Sequence, residues 1–225
     1  MRELKAVIFD MDGVLVDSEP WHYEIETTLF KKLGLNVSEE LHHTYIGTAG
    51  DLMYSDLKEK FEILLTLEEL LKWDEEYRIN IFSEMRGINP NPGVIELLKE
   101  LKTSGIKLAV ATSSVPGIVE MILKKCGIDS FFETVITTVQ AGKSKPAPDV
   151  YMLAAERIGI SPENCVVFED SFNGIRAAKG ASMYCIAYQP HNVFVQNTSE
   201  ADKLINSFKE INVGLIRQYL KDGIQ

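Results

Sequence analysis

The feature that most constrains this chain is an alternation of short apolar runs, several ending in a polar side chain, with amphipathic helical patterns. Residues 4–9 (LKAVIF) run into Asp10, residues 107–111 (KLAVA) into Thr112, and residues 165–168 (CVVF) into Glu169 and Asp170. Residues 134–138 (TVITT) are rich in β-branched side chains, and residues 184–188 (YCIAY) form a weaker run. Runs of this length and composition suit buried strands. Between them, residues 93–104, 115–126, 149–158 and 174–179 carry apolar residues at helical spacing, and Gly105, Gly127 and Gly180 close three of them. Strands alternating with helices predict a parallel sheet joined by right-handed crossovers, an α/β fold.

The alternation breaks once. Residues 18–85 contain no convincing strand and read as helices, and Asn89-Pro90-Asn91-Pro92-Gly93 reads as a turn or hinge. The expected organisation is an α/β core of residues 1–17 and 86–225, with residues 18–85 inserted as a helical cap over the site. A chain of 225 residues suits one large domain or a domain with an insertion, and it buries a core without staples.

Charge narrows the partners. A formal net charge of -10 opposes binding to nucleic acid or anionic membranes. No run approaches the ~18 apolar residues of a membrane span, and acidic residues come too early for a signal peptide. A cytoplasmic monomer is the default expectation. Cys126, Cys165 and Cys185 lack the spacing of a disulfide framework or a zinc site, and the last two read as core thiols.

In open parallel sheets, ligands bind beyond the carboxyl ends of the strands. The polar residues there are Asp10, Asp12, Thr112, Ser113, Glu169 and Asp170, with Lys143 and Lys145 in a loop before Pro146. Asp10 and Asp12, two apart at the end of an extended segment, share a side. Converging carboxylates need a cation: two charges 4 Å apart repel by about 4 kcal/mol at an effective dielectric near 20. Oxygen ligands suit a hard divalent ion, with Mg²⁺ usual where phosphates complete the shell. A metal, a lysine and a hydroxyl together describe phosphoryl transfer. One Asp attacks phosphorus and the other exchanges protons with the leaving oxygen and the incoming water or hydroxyl. The second must then start protonated, and crowding of carboxylates raises the pKa of one member.

Four segments carry a resemblance. Asp10-Met11-Asp12-Gly13-Val14-Leu15-Val16-Asp17-Ser18, residues 108–114 (LAVATSS), residues 143–149 (KSKPAPD) and residues 167–171 (VFEDS) resemble, in order, the four motifs of the haloacid dehalogenase-like superfamily. The resemblance implies a modified Rossmann core with a cap. It implies Asp10 as nucleophile and Asp12 as acid/base, with the phosphoryl group held by Thr112 and Lys145 and with Ser113 beside them. It implies Mg²⁺ on the Asp10 side chain, the Asp12 carbonyl and Asp170, with Glu169 assisting. Lys143 reads as a solvated neighbour.

Asp17-Ser18-Glu19-Pro20-Trp21-His22 is similar to the β-phosphoglucomutase-like branch, in which a cap histidine gates the acid/base aspartate; His22 stands at that position. The mutase also holds its substrate's second phosphate with a cap arginine. Here Gly50 falls at that place, in the loop that includes Gly47 and Thr48, the other candidate substrate-facing residues. A cap lysine of the mutase falls at Trp73, beside Lys72. The missing arginine favours a phosphatase of small phosphorylated metabolites, with sugar phosphates the class that the resemblance implies. The rivals are a phosphoglucomutase and a binding protein that kept the fold without activity. Of the remaining residues, Thr112 doubles as a candidate helix cap. His42 and His43 read as surface residues and His191 as a loop residue. Trp21, Tyr23, Phe30 and Trp73 read as cap packing, and Glu68-Glu69 and Asp74-Glu75-Glu76 as a solvated helix face.

Overall fold

The structure is a computed structural model, and it describes residues 2–45, 48–84, 87–190 and 196–223. In chain order the elements are β1 (Ala6–Phe9), α1 (Glu19–Lys32), α2 (Glu39–His43), α3 (Gly50–Phe61), α4 (Leu67–Glu84), α5 (Val94–Thr103), β2 (Lys107–Thr112), α6 (Pro116–Lys125), β3 (Thr134–Thr137), α7 (Thr138–Ala141), α8 (Asp149–Ile158), β4 (Cys165–Glu169), α9 (Phe172–Gly180), β5 (Tyr184–Tyr188), β6 (Lys203–Ile205) and α10 (Val213–Asp222). The strands form one parallel sheet in the order β3-β2-β1-β4-β5-β6. The order reverses direction at β1, between β2 and β4, which is where such sheets bind ligands.

Alternation of side chains along each strand gives the sheet two unlike faces. Val7, Phe9, Leu108, Val110, Val166, Phe168 and Ile186 form a bulky face against α5, α6 and α10. Phe9 stacks on Phe168 there at 5.1 Å. Ala6, Ile8, Ala109, Ala111, Val167, Cys185 and Ala187 form a face of mostly smaller residues against α8 and α9. Cys165 and Cys185 are buried free thiols, and Cys126 is half-buried.

Two elements, β6 and α10, were not anticipated from the sequence. β6 is three residues long with two of them exposed. α10 has Val213, Ile216 and Leu220 on one face and Asn212 accepting from Leu215 N–H as N-cap, so its pattern is present in the sequence. The strand expected over residues 134–138 stops at Thr137, which caps α7 reciprocally with Gln140.

The four helices between β1 and α5 have a core of their own, built on Phe30, Tyr45, Met53, Tyr54, Leu57 and Leu70. Ile25, Leu29 and Phe82 join them to the bulky-face core, against which Trp21 and Trp73 also pack. The two connections to the sheet run side by side. Asn91 Nδ2 donates to Gly13 O (2.9 Å) and Val14 O (2.8 Å), Asn91 N–H donates to Leu15 O, and Val16 bridges Pro90. Lys125 of α6 donates to the carbonyls of Phe82 and Ser83 at the end of α4. The expected boundary at 85/86 lies outside the described residues, as do Gly47 and His191. Among the described residues no helix is long and apolar enough to cross a membrane.

Candidate active site

The carboxyl ends of β1, β2 and β4 deliver Asp10, Thr112 and Glu169 to the floor of a cavity of about 1000 Å³, whose opposite wall comes from the inserted helices. All three side chains are buried, as is Lys145, at 3% exposure. Lys145 Nζ donates to Asp10 Oδ1 (2.6 Å), Glu169 Oε1 (2.7 Å), the Tyr151 hydroxyl (3.1 Å) and Ala111 O (3.2 Å). Burial raises the Asp10 carboxyl well above its ordinary range against the pull of Lys145, with Glu169 and Asp12 adding to the rise. The lysine sits between two carboxylates, which raise its pKa despite burial. Lys143 is exposed, 3.6 Å from Asp149.

Glu169 has little capacity left for a ligand. Its Oε1 accepts from Lys145 and Tyr151, and its Oε2 accepts from the N–H groups of Asp170 and Ser171 and from the Ser171 hydroxyl (3.0 Å). It fixes Lys145 on one side and the Asp170 turn on the other. Gly174 makes this possible: a Cβ there would lie 1.5 Å from Glu169 Oε1. Gly174→Ala is expected to cost about 1–3 kcal/mol by overpacking. Thermal melts should fall by about 2–12 °C; an unchanged melting temperature would show that Glu169 can move without penalty.

Asp170 stands against the Asp12-Gly13 turn. A Cβ on Gly13, whose φ of 74° is left-handed, would come within 2.0 Å of Asp170 Oδ2. The turn is therefore restricted to glycine by both backbone and space.

Asp12 departs from expectation. Its Oδ1 accepts from the Ser18 hydroxyl (2.6 Å) and faces His22 Nε2 (2.9 Å), and its Oδ2 accepts from the hydroxyls of Ser114 (2.7 Å) and Thr112 (3.4 Å). Burial alone would raise this carboxyl. The His22 ring and the Ser114 and Ser18 hydroxyls outweigh it and hold Asp12 well below the carboxylate range. The proton that Asp12 must carry when substrate binds is thus opposed, without substrate, by His22 and by the donor hydroxyls around it. Ser114, rather than Ser113, reaches it. Ser113 lines the cavity, and its buried hydroxyl oxygen has no partner within the described protein. Thr112 accepts from Ser114 N–H (3.1 Å) and does not cap α6, whose N-cap is Val115.

Behind His22 lies a residue that the sequence reading missed. Arg78 NH1 meets His22 Nδ1 at 2.6 Å. A guanidinium only donates, so Arg78 holds the Nδ1 side of the ring while Nε2 faces Asp12. Arg78 Nε donates to Asp74 (2.7 Å) and NH2 to Glu26 (2.8 Å). Asp74 also accepts from the Tyr54 hydroxyl, and Glu26 pairs with His42 at 2.8 Å. Asp74 and His42 are buried, at 8% and 4% exposure, so neither belongs to a solvated surface. Tyr23, stacked on His42 at 4.3 Å, lines the cavity rather than packing inside the insert. Thr48 lines it as well; Lys72 is exposed. The cation near this position is Arg78, more than a helical turn beyond Trp73. The signal for it was the Asp74–Arg78 spacing of four on one helix.

Burial alone would raise the Glu26 carboxyl, but the His42 hydrogen bond and the charge of Arg78 bring it down to about 2 from 4.5. A carboxyl depressed on folding contributes stability that is complete above about pH 4.5 and fades as pH falls through about 2. That shift corresponds to about 3 kcal/mol. Glu26→Gln should therefore lower the melting temperature at pH 7 and lose most of that effect near pH 3. A gap of equal size at both pH values would remove Glu26 ionisation as the cause.

The profile of the haloacid dehalogenase-like hydrolases matches residues 7–188. This chain belongs to that family. It is 37% identical over 180 residues to the phosphorylated carbohydrates phosphatase of Thermotoga maritima, covering 80% of this chain and 82% of that one. It is 33% identical to the putative phosphatase YhcW of Bacillus subtilis over 96% of this chain and 98% of the other. Among solved structures, CbbY from Rhodobacter sphaeroides in complex with xylulose-(1,5)bisphosphate superposes with a TM-score of 0.83 at 28% identity, covering 94% of this chain and 98% of that one. In this family member the α/β core is the six-stranded parallel sheet described above, and all four motif segments border the same cavity.

Proposed function

We propose that this protein is a phosphatase that hydrolyses a phosphate monoester of a small, sugar-like metabolite, with Mg²⁺ as its metal and residues 18–85 acting as a cap. One observation carries the reading: the Asp10 carboxylate, at the switch point of the sheet, faces the cavity with a buried lysine on it and a second, well-ordered carboxylate two residues on.

Asp10 attacks phosphorus, forming an Oδ–P bond as the bond from phosphorus to the ester oxygen breaks, and the leaving oxygen takes a proton from Asp12. Water then attacks the aspartyl-phosphate, Asp12 takes its proton, and Asp10 and inorganic phosphate separate. Lys145 and Thr112 hold the phosphoryl oxygens. The hydrogen bonds on Asp12 belong to the second half of this cycle, in which it is a base. For the first half, Ser18 and His22 must release it long enough to take up a proton, which couples the chemistry to movement of the cap.

The oxygen-only donor set suits a hard cation. Among the described residues no group of three or more His, Cys, Asp or Glu side chains forms a metal cage. Mg²⁺ does not need one, since it is commonly held by one or two carboxylates with water and substrate phosphate. Asp10, Asp170 and the Asp12 carbonyl are the proposed ligands, with Glu169 ordering their loop. The ion would supply positive charge to the phosphoryl oxygens.

The test is phosphate release with Mg²⁺ from a panel of sugar phosphates, nucleotides and small acid phosphates. Release that stops with EDTA and returns with Mg²⁺ is the expected result. Conversion of β-glucose 1-phosphate to glucose 6-phosphate with little free phosphate would replace hydrolysis with a mutase.

A further inference from the structure

We propose that the wall of this cavity contributed by the inserted helices admits substrates with a single anionic group, the phosphate that is removed, joined to an uncharged, hydroxyl-bearing body. This rests on the phosphatase reading for which end of the substrate meets Asp10, and it concerns the other end.

Charge on that wall is one-sided. Among the described residues from the insertion that line the cavity are four carboxylates, Glu26, Asp51, Asp74 and Glu75, and one permanently charged cation, Arg78. The guanidinium is already matched twice, by Glu26 and Asp74, and its remaining contact is with His22. The other histidines also face acids: His42 is on Glu26, and His43 is 3.9 Å from Glu39. Asp51 reaches across to the floor, where Ser144 donates to its carboxylate at 3.0 Å. A second phosphate or a carboxylate on the substrate would meet excess negative charge in a site partly closed to water, where repulsion is screened weakly.

The same wall is well made for hydroxyls. Carboxylate oxygens only accept, and each offers two lone pairs. Glu26 and Asp74 each spend one acceptor site per oxygen on the network and keep others. A polyol supplies the donors that these sites need, and the exposed face of Tyr23 offers an apolar surface to a carbon skeleton.

The experiment is titration calorimetry on the full chain carrying Asp10→Asn, with Mg²⁺, so that binding is read without turnover. The ligands are glucitol 6-phosphate, 6-phosphogluconate and glucose 1,6-bisphosphate. Glucitol 6-phosphate is expected to bind at least about tenfold more tightly than either ligand with a second anionic group, and raising the salt from about 50 to 500 mM should narrow the gap. Glu75→Lys should narrow it further. Equal or tighter binding of the bisphosphate overturns the proposal, as does a gap insensitive to both salt and Glu75→Lys. Rejection of the bisphosphate with acceptance of 6-phosphogluconate would mean selection by size and would also overturn it. Binding of none of the three would count against the hydroxyl-accepting wall itself. If discrimination holds but the unmodified protein releases no phosphate from any monoester, the phosphatase reading fails and the single-anion rule stands.

Discussion

Asp10→Asn is expected to lower phosphate release by at least about a thousandfold, equivalent to about 4 kcal/mol of barrier, while the protein stays folded. The change replaces one oxygen by an amide nitrogen and removes the attacking carboxylate. Its structural cost is small because Lys145 keeps Glu169 at 2.7 Å as a charged partner, and Asn still offers an oxygen. The signature is a collapse of kcat with a melting temperature within a few degrees of the unmodified protein. Residual activity above about a tenth of the original would remove Asp10 as nucleophile. A large loss of stability would mean that the pair with Lys145 does more for the fold than the geometry indicates.

Lys145→Met should have the opposite profile: a large loss of stability together with loss of activity. The substitution keeps length and leaves Asp10 and Glu169, at 6% and 1% exposure, with no cation between them. Removing one partner from a buried ionic cluster costs about 3–5 kcal/mol, since the remaining charge stays uncompensated. For a chain of this size that lowers the melting temperature by about 6–20 °C. Adding Glu169→Gln to Lys145→Met should recover a good part of the loss, because one of the two stranded charges is gone. Thermal melts of the single and double variants decide the matter. A Lys145→Met protein as stable as the original would mean that water or an ion already neutralises this cluster.

Much of the core was legible in the sequence because its signals are local. A buried parallel strand declares itself by four or five consecutive apolar residues, and the residue that ends the run must lie at the sheet edge where ligands bind. Asp10, Thr112 and Glu169 could be placed in that way. The wall opposite was not legible, because its meaning depends on which helix faces meet. Asp74 sits in an acidic stretch, and only the approach of Tyr54 and Arg78 turns it from a solvated residue into a buried acceptor. His42 is polar, and its burial depends on Glu26, Tyr23 and Phe30, all from another helix. The hydrogen bonds on Asp12 were missed for the same reason. Ser18 and Ser114 are visible in the motif segments, but their convergence on Asp12 from positions 96 residues apart in the chain depends on the fold.

The paired connections have a consequence for how such a protein can change over time. The chain leaves the sheet and comes back at neighbouring points, with Val16 bridging Pro90 and Asn91 tied to three carbonyls of the outgoing segment. Everything between those points is topologically a loop. Strand order, crossover handedness and the carboxyl edge of the sheet make no demand on its length. The helices in that segment are therefore free to differ in length without altering the strands, provided that Ser18 and His22 still reach Asp12.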